Sequence, residues 1–110
     1  MYQNGDTIYA LASGLGTAGV AIIRVSGPKA KETLKHLTSI KKAEAGKVYF
    51  SILKDGKKVL DRGLVLYFKA PHSFTGEDIV EYQVHGGRGV IFSVMQALSR
   101  IDGLRPAERG

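Results

Sequence analysis

The chain contains no cysteine, and its three histidines are widely spaced. Disulfides, thiolate metal sites and cysteine nucleophiles are therefore excluded, and histidines so few and so far apart do not make a zinc site. No run approaches the roughly 20 apolar residues that a membrane-spanning helix needs, and residues 1–6 have no basic start leading into an apolar signal core. The sequence predicts a cytoplasmic protein without membrane contact, stabilised by packing alone.

The composition that is present is ordinary for a globular protein, with 44% hydrophobic and 24% charged residues. A chain of 110 residues is long enough to bury one hydrophobic core but not two. We therefore expect residues 1–110 to form a single folded domain.

The formal net charge of +6 is concentrated in residues 29–58, which hold nine lysines against three acidic residues, while the rest of the chain sums to zero. Such a segment attracts polyanions, whether tRNA, an acidic protein or a polyglutamylated cofactor. We prefer a simpler interpretation, a solvated helix face and hairpin, because only Tyr49 and Phe50 offer aromatic rings for stacking among these lysines.

Alternating and β-branched segments predict six short strands, and two segments have the apolar spacing of helices. The predicted strands cover residues 7–13, 20–26, 48–53, 59–60, 63–69 and 78–85. One helix is expected over residues 28–38 and a second between Gly87 and Gly103, and Asp55-Gly56 predicts a tight hairpin turn. We therefore expect an α+β fold with a mixed, largely antiparallel sheet and two helices.

Residues 14–19, Gly-Leu-Gly-Thr-Ala-Gly, match the dinucleotide-binding pattern G-x-G-x-x-G and follow a predicted strand. That pattern needs a helix after its third glycine, so that the amino-terminal end of the helix meets the pyrophosphate. Residues 20–25 have the β-branched composition of a strand instead, so a turn is the better interpretation. No P-loop pattern occurs in the sequence, and we do not expect this chain to bind GTP.

Arg24 and Glu81 each interrupt a strongly apolar strand. A buried charge requires a partner, because its desolvation is costly. The two side chains can form a structural salt bridge with each other. Alternatively, Glu81 can accept two parallel hydrogen bonds from a ligand while Arg24 binds an anionic group. The residues alone favour neither interpretation.

The segment His85-Gly86-Gly87-Arg88-Gly89 lies where a strand ends and a helix begins. Backbone amides at that end of a helix favour an anion, and glycines let a ligand approach the backbone closely. A tight connection with positive φ angles explains the same glycines, and His85 can equally be a structural histidine. No nucleophile or acid–base pair follows from the spacing, so the sequence indicates a binding module rather than a complete enzyme.

Several blocks of this sequence match one protein family in order and spacing. They are Asp6-Thr7-Ile8, Ala21-Ile22-Ile23-Arg24-Val25-Ser26-Gly27, and Pro71-His72-Ser73-Phe74-Thr75-Gly76-Glu77-Asp78, followed by Glu81 and His85-Gly86-Gly87. These blocks resemble the amino-terminal signature of the bacterial tRNA-modification GTPase family MnmE/TrmE. The resemblance covers essentially the whole chain, and the family continues into a helical domain with an inserted GTPase that this chain lacks.

The resemblance implies that residues 1–110 are similar to the tetrahydrofolate-binding domains of glycine-cleavage aminomethyltransferases. Such a domain forms a homodimer and holds a reduced folate, 5-formyl- or methylene-tetrahydrofolate. Arg24 and Glu81 match the family's folate-contacting residues, and His85, Gly86 and Gly87 form the matching His-Gly-Gly block. The lysine-bearing segment that completes the family's folate site falls after the last residue.

In the whole family protein, the folate supplies a one-carbon unit for modification of the wobble uridine of certain tRNAs at carbon 5. The implied partners are tRNA and a flavoprotein of the MnmG/GidA family, while GTP, magnesium and potassium are implied only for the absent GTPase domain. Members often carry Pro-Pro-Gly-Arg-Gly in the first turn, which this chain lacks at residues 14–18, so no role of that arginine carries over. The alternatives are a basic tRNA-docking module and a purely structural dimerisation module.

Overall fold

The computed structural model describes residues 6–13, 19–70 and 76–107. Six strands and two helices follow one another along the chain. They are β1 (Thr7–Leu11), β2 (Val20–Ser26), α1 (Thr33–Leu37), β3 (Val48–Asp55), β4 (Lys58–Phe68), β5 (Ile79–His85), α2 (Arg88–Ser99) and β6 (Leu104–Pro106). The predicted turn over residues 14–18 lies outside the described residues, as do residues 71–75 of the signature block Pro71–Asp78.

All six strands form one sheet in the order β3-β4-β5-β2-β1-β6. Neighbouring strands are antiparallel except β1 and β6, which run parallel and pair Thr7 with Leu104. The prediction of an α+β fold with a mixed, largely antiparallel sheet and two helices is confirmed.

The hydrophobic core lies between one face of the sheet and the two helices. Successive side chains of a strand point to opposite faces, and the pairing register places Ile23 opposite Tyr82 and Val25 opposite Val80, all fully buried. Leu37 of α1 belongs to the same cluster. The residues that α2 buries are Ile91, Val94, Ala97 and Leu98. A buried hydrogen bond of 2.5 Å between the Thr33 and Tyr82 hydroxyls also ties α1 to the sheet.

The opposite face of the sheet, called here the open face, carries a mixture of apolar and polar side chains. By register and alternation it comprises Val48, Phe50 and Ile52 on β3, Leu64 and Leu66 on β4, Glu81 and Gln83 on β5, and Val20, Ile22 and Arg24 on β2. Its apolar members toward β3 are well exposed, and Phe50 has 73% of its surface accessible.

Two element predictions were wrong in detail, and one strand was missed. The first helix begins at Thr33 rather than near Pro28, because residues 27–33 form turns with hydrogen bonds spaced three residues apart, such as Thr33 N–H to the Ala30 carbonyl at 3.1 Å. The segments 59–60 and 63–69 are one continuous strand, β4, with Gly63 inside it. The short strand β6 was not predicted.

The hairpin prediction was correct in place. Gly56 has φ +61°, and β3 and β4 close with Asp55 opposite Lys58. The two residues of the turn are therefore Gly56 and Lys57 rather than Asp55 and Gly56.

Candidate functional site

Arg24 and Glu81 face each other directly across the two central strands. The antiparallel register of β2 and β5 makes them cross-strand partners. Arg24 Nε and Nη2 both donate to Oε2 of Glu81, at 2.9 and 2.8 Å. The two charges that interrupt apolar strands in the sequence are therefore brought together on the open face.

The pair is neither fully buried nor freely exposed. The Glu81 side chain has 8% of its surface accessible, whereas the Arg24 side chain has 36%. Leu66 of β4 lies opposite Glu81 on its other side, so the carboxylate is flanked by an aliphatic and a cationic neighbour. Within the described part of the chain, no hydrogen bond reaches Oε1 of Glu81, which leaves that oxygen as an acceptor for another molecule.

His85 is the last residue of β5, four positions beyond Glu81. At 3.2–3.4 Å per strand residue, the two Cα atoms are separated by about 13 Å. The fold thus brings Arg24 and Glu81 together but places His85, Gly86 and Gly87 at the other end of the strand. The His85 side chain is 74% accessible.

Asp61 of β4 is the residue that fixes His85, and the sequence analysis missed it. Its carboxylate accepts the His85 backbone amide at 2.8 Å and lies 2.9 Å from the ring Nδ1. An ionised carboxylate only accepts hydrogen bonds, so Nδ1 is the protonated nitrogen in this contact. Aspartate is unfavourable inside strands, and its position between Leu60 and Arg62 was the available signal.

The pKa of Asp61 is lowered by these contacts. Burial alone would raise that pKa, but the hydrogen bonds from the His85 amide, the His85 ring and the Arg62 amide outweigh burial. The pKa therefore lies below its ordinary value of 3.8, and Asp61 is ionised at neutral pH.

The glycines after His85 do not have the backbone angles that one explanation required. Gly87 caps α2 with φ −67° and ψ 143°, and neither Gly86 nor Gly87 is among the glycines with positive φ. The Gly86 amide donates to the Gly19 carbonyl at 3.2 Å. A Cβ atom built on Gly87 would meet nothing within 4 Å. The fold therefore does not itself require a glycine at position 87, which leaves close approach of a ligand as a reason for one.

A small cleft of about 170 Å³ opens on the open face beside His85. It is lined by Val20, Phe50, Arg62, Gly63, Leu64, Gln83, Val84 and His85. The ladder between β4 and β5 ends at the pair Leu64 and Gln83. At the next residue the strands are so close that a Cβ on Gly63 would lie 2.2 Å from the Gln83 carbonyl oxygen. Only glycine fits there.

Lysines surround two adjoining clefts at α1, on the other side of the molecule's core from the open face. The larger, of about 530 Å³, includes Lys29, Lys31, Lys35 and Lys41, with Glu32 and Asp78 as acidic neighbours. The second, of about 380 Å³, is lined by Lys35, Thr38, Ser39, Ile40, Lys41 and Lys54. None of the described residues that line the second cleft is acidic, so it is the more favourable place for an anion.

Two kinds of site are not found in the parts of the chain that the structure describes. No three side chains of His, Asp or Glu converge in a way that would hold a metal ion among residues 6–13, 19–70 and 76–107. Neither α1 nor α2, the two helices of those ranges, is long and apolar enough to cross a membrane.

Residues 7–110 match the protein family described as "GTP-binding protein TrmE N-terminus". A mitochondrial tRNA modification GTPase of Dictyostelium discoideum is 45% identical over 113 residues, which cover 96% of this chain and 22% of that protein. A mitochondrial 5-taurinomethyluridine-tRNA synthase subunit of Danio rerio is 51% identical over 110 residues, covering 99% of this chain and 22% of its own length. The tRNA modification GTPase MnmE of Sinorhizobium medicae is 50% identical over 108 residues, or 98% and 24% of the two chains.

The chain thus spans less than a quarter of the length of these relatives. The family match nevertheless runs through every strand and helix described above, including the strands that carry Arg24 and Glu81. The chain belongs to the TrmE amino-terminal family.

Proposed function

We propose that this domain binds a reduced folate on the open face of its sheet, with Glu81 and Arg24 as the central contacts. One observation carries the proposal. A largely buried carboxylate is paired with an arginine through only one of its two oxygens, on a sheet face that neither of the two described helices covers. A purely structural salt bridge does not require this free acceptor.

The chemistry of a pteridine fits these groups. It presents an amino group beside a ring N–H, and this pair of donors matches the two oxygens of the Glu81 carboxylate. The Arg24 guanidinium is partly exposed and supplies donors for the ligand's carbonyl oxygen. Gly87 leaves room for close approach to the backbone, and His85 contributes at the far end of the strand. The bound form would be 5-formyl- or methylene-tetrahydrofolate.

In the longer protein, this domain would supply the one-carbon unit for modification of the wobble uridine of tRNA. Two relatives are named as tRNA modification GTPases, and the residues here match only their amino-terminal part. The GTPase activity with its GTP, magnesium and potassium, and the flavoprotein partner, would belong to the remainder of such a protein. The cytoplasmic location of this chain remains a prediction from the sequence. Two of the relatives described are named as mitochondrial.

Calorimetry with 5-formyltetrahydrofolate tests the proposal on Glu81→Gln. A hydrogen bond to a charged group contributes roughly 1.5–3 kcal/mol, so the dissociation constant should rise about ten- to a hundredfold. Glu44→Gln is the matched control, because Glu44 pairs with Lys47 in an exposed ion pair and its loss should leave affinity unchanged.

A double variant separates the ligand site from a structural salt bridge. Arg24→Met combined with Glu81→Leu replaces the pair by apolar groups, which a fold tolerates far better than the loss of one partner. We expect this variant to remain folded and to lose folate binding. Wild-type affinity in either variant would refute the assignment of Glu81.

Homodimerisation is a second proposed function, favoured by the edge strand β3. This strand ends the sheet, so one side of its backbone is not paired within the described sheet, and it exposes Val48, Phe50 and Ile52. An exposed apolar edge of this kind readily pairs with another chain. We take a second copy of this domain as the occupant.

Docking of tRNA is the remaining candidate, favoured by the lysine-lined clefts at α1. Lys35, Lys41 and Lys54 surround a cleft in which no described lining residue is acidic, which suits phosphate groups. This surface is separate from Arg24 and Glu81, so a tRNA site there does not compete with folate binding.

A further inference from the structure

The second cleft at α1 contains ammonium groups that no acidic side chain neutralises. Lys35, Lys41 and Lys54 line it. None of the three forms an ion pair with a carboxylate of the described residues. Because like charges held together without a counter-ion repel one another, the second cleft favours an anionic ligand.

The lysines that line only the larger cleft point their charge elsewhere. The end of Lys29 lies against Gly103, since a Cβ atom built on that glycine would come within 2.7 Å of the lysine Nζ. Nζ of Lys31 lies 5.3 Å from the centre of the Tyr67 ring, where the aromatic face attracts a cation. The positive charge that a ligand can reach is therefore concentrated in the second cleft.

Lys54 enters the second cleft from a place where the sheet is irregular. By alternation along β3, Lys54 would lie on the open face with Ile52. The pairing of β3 with β4 shifts register between Leu53 and Lys54, and such a shift increases the local twist of the strands. The half-buried Lys54 side chain reaches Ser39, just after α1, and its Nζ donates to Oγ at 3.0 Å. The strand thus presents an ammonium group to the cleft.

Ser39 adds a neutral donor to the three charged ones. Its Oγ accepts the hydrogen bond from Lys54, so its own proton is available to a ligand. A phosphomonoester carries about 1.5–2 negative charges and three acceptor oxygens at neutral pH. It matches three ammonium groups and a hydroxyl better than a singly charged carboxylate or phosphodiester does.

The second cleft has room for more than the phosphate group itself. Its volume of about 380 Å³ lies within the roughly 300–1,000 Å³ of ligand pockets in proteins. Ile40 supplies apolar surface here and in the adjoining larger cleft, where Glu32 can accept hydrogen bonds from hydroxyl or amino groups. An organic group attached to the phosphate can therefore be accommodated.

We propose that the second cleft is a binding site for a phosphomonoester, with Lys54 and Ser39 as the central contacts and Lys35 and Lys41 as additional positive charge. The inference goes beyond the proposed tRNA docking, which requires only the phosphodiesters of an RNA backbone. Two sources present the same group, a small phosphorylated compound and the 5′-terminal phosphate of an RNA. The site does not depend on folate binding.

Titration of the 15N-labelled chain by NMR tests the site with ribose 5-phosphate. The amide signals of Ser39, Ile40 and Lys54 should shift with this ester and stay in place with ribose. Dimethyl phosphate, a singly charged diester, should bind about tenfold more weakly or worse. Equal affinity for the two phosphates would overturn the preference for a monoester and leave tRNA docking intact. If ribose 5-phosphate shifts none of these signals, the site is refuted.

The variant Lys54→Gln should raise the dissociation constant of ribose 5-phosphate about tenfold, because it removes a charged donor. Ser39→Ala removes a neutral donor and should raise the constant by a smaller factor. Lys58→Gln is the matched control, since Lys58 is an exposed lysine of the same hairpin that lines neither cleft, and it should leave the constant unchanged. Wild-type affinity in Lys54→Gln would contradict the assignment.

Two RNAs of one sequence, with a 5′-phosphate and with a 5′-hydroxyl, identify the source of the ester. Fluorescence anisotropy measures their affinities. Tighter binding of the phosphorylated RNA, lost in Lys54→Gln, supports a site for an RNA end. Equal binding of both RNAs, while ribose 5-phosphate still binds, supports a site for a small phosphorylated compound.

Discussion

Asp61 and Glu81 are two carboxylates on neighbouring strands whose partners give them different roles. Asp61 is satisfied by three donors from within the domain, namely the His85 amide, the His85 ring and the Arg62 amide. Glu81 is bonded to Arg24 through one oxygen. At the scale of single residues, Asp61 therefore serves the fold, whereas Glu81 has bonding capacity left for a ligand.

The hydrogen-bonded carboxylate of Asp61 makes the free energy of unfolding of the domain depend on pH in the acid range. Because the folded state holds the pKa of Asp61 below 3.8, ionised Asp61 stabilises the domain above that pH, and the contribution is lost as the pH falls through the folded pKa. Asp61→Asn lacks this contribution. The difference in free energy of unfolding between wild type and variant should be largest near neutral pH and should shrink toward pH 2, as measured by urea denaturation across that range.

Glu44→Gln serves as the comparison for this pH series, since the exposed Glu44 and Lys47 pair should contribute little at any pH. A difference between wild type and Asp61→Asn that is the same at pH 7 and pH 2 would show that ionisation of Asp61 is not the cause.

The sequence could predict Arg24 and Glu81 because each is a charge within an apolar strand, and such residues need a partner wherever the strands meet. It could not predict Asp61 in the same way. Asp61 binds His85 beyond the last ladder pair of β4 and β5, Leu64 and Gln83, and the contact joins residues that are 24 positions apart in the chain.

Among the elements, the edge strand β3 has a backbone side that is not paired within the described sheet, together with exposed apolar side chains. Its residues Val48 and Ile52 are 57% and 45% accessible on the open face. If two copies associate through this strand, Val48→Lys combined with Ile52→Lys should place charges in the interface and convert a dimer to a monomer. Sedimentation velocity over a wide range of protein concentration measures the change.

Val59→Lys is a suitable control because Val59 is equally exposed, at 59%, but lies on β4 at the start of the hairpin. It should leave the association state unchanged. A wild-type chain that sediments as a monomer at every concentration would contradict dimerisation through β3.

The strands with a strong local sequence pattern are the ones whose bounds the sequence predicted best. β2 has the predicted bounds and β5 differs by one residue, because runs of β-branched and alternating residues specify central strands. β6 has only three residues and forms by pairing with β1, about 97 positions earlier in the chain, so no local pattern marks it. The start of α1 was mistaken because Pro28 suits a turn of three-residue spacing as well as an α-helix.

For the molecule as a whole, the uneven distribution of lysines predicts a salt-dependent interaction with RNA. Removing one lysine that binds a phosphate should reduce the slope of log affinity against log salt by about 0.7–0.9. Replacing Lys35, Lys41 and Lys54 together by Gln should therefore reduce the slope by about 2–3 and weaken tRNA binding uniformly. Fluorescence anisotropy with labelled tRNA between low and moderate salt provides the measurement.

The matched variant replaces Lys57, Lys58 and Lys69 by Gln, which removes the same charge from positions outside the lysine-lined clefts. This variant should reduce the slope of log affinity against log salt by less than the Lys35, Lys41 and Lys54 variant does. Equal reductions in the two triple variants would show that net charge, rather than the clefts at α1, attracts the RNA.

The fold class was predictable at this scale, but the order of the strands was not. Hairpin signals and the absence of repeats indicate a mixed, largely antiparallel sheet with two helices. The insertion of β5 between β4 and β2, and of β1 between β2 and β6, is decided by which faces pack together in three dimensions.

The parallel pairing of β1 with β6 has a consequence for biosynthesis. Tyr9, buried near the middle of β1, accepts a backbone hydrogen bond from the Ala107 amide at 2.9 Å, and Asp6 is held by Arg105 at 2.8 Å. A ribosome adds roughly 5–20 residues per second, so the nascent chain exposes the outer edge of β1 for several seconds before its last neighbour exists. The sheet is complete only when residues 104–107 have left the exit tunnel.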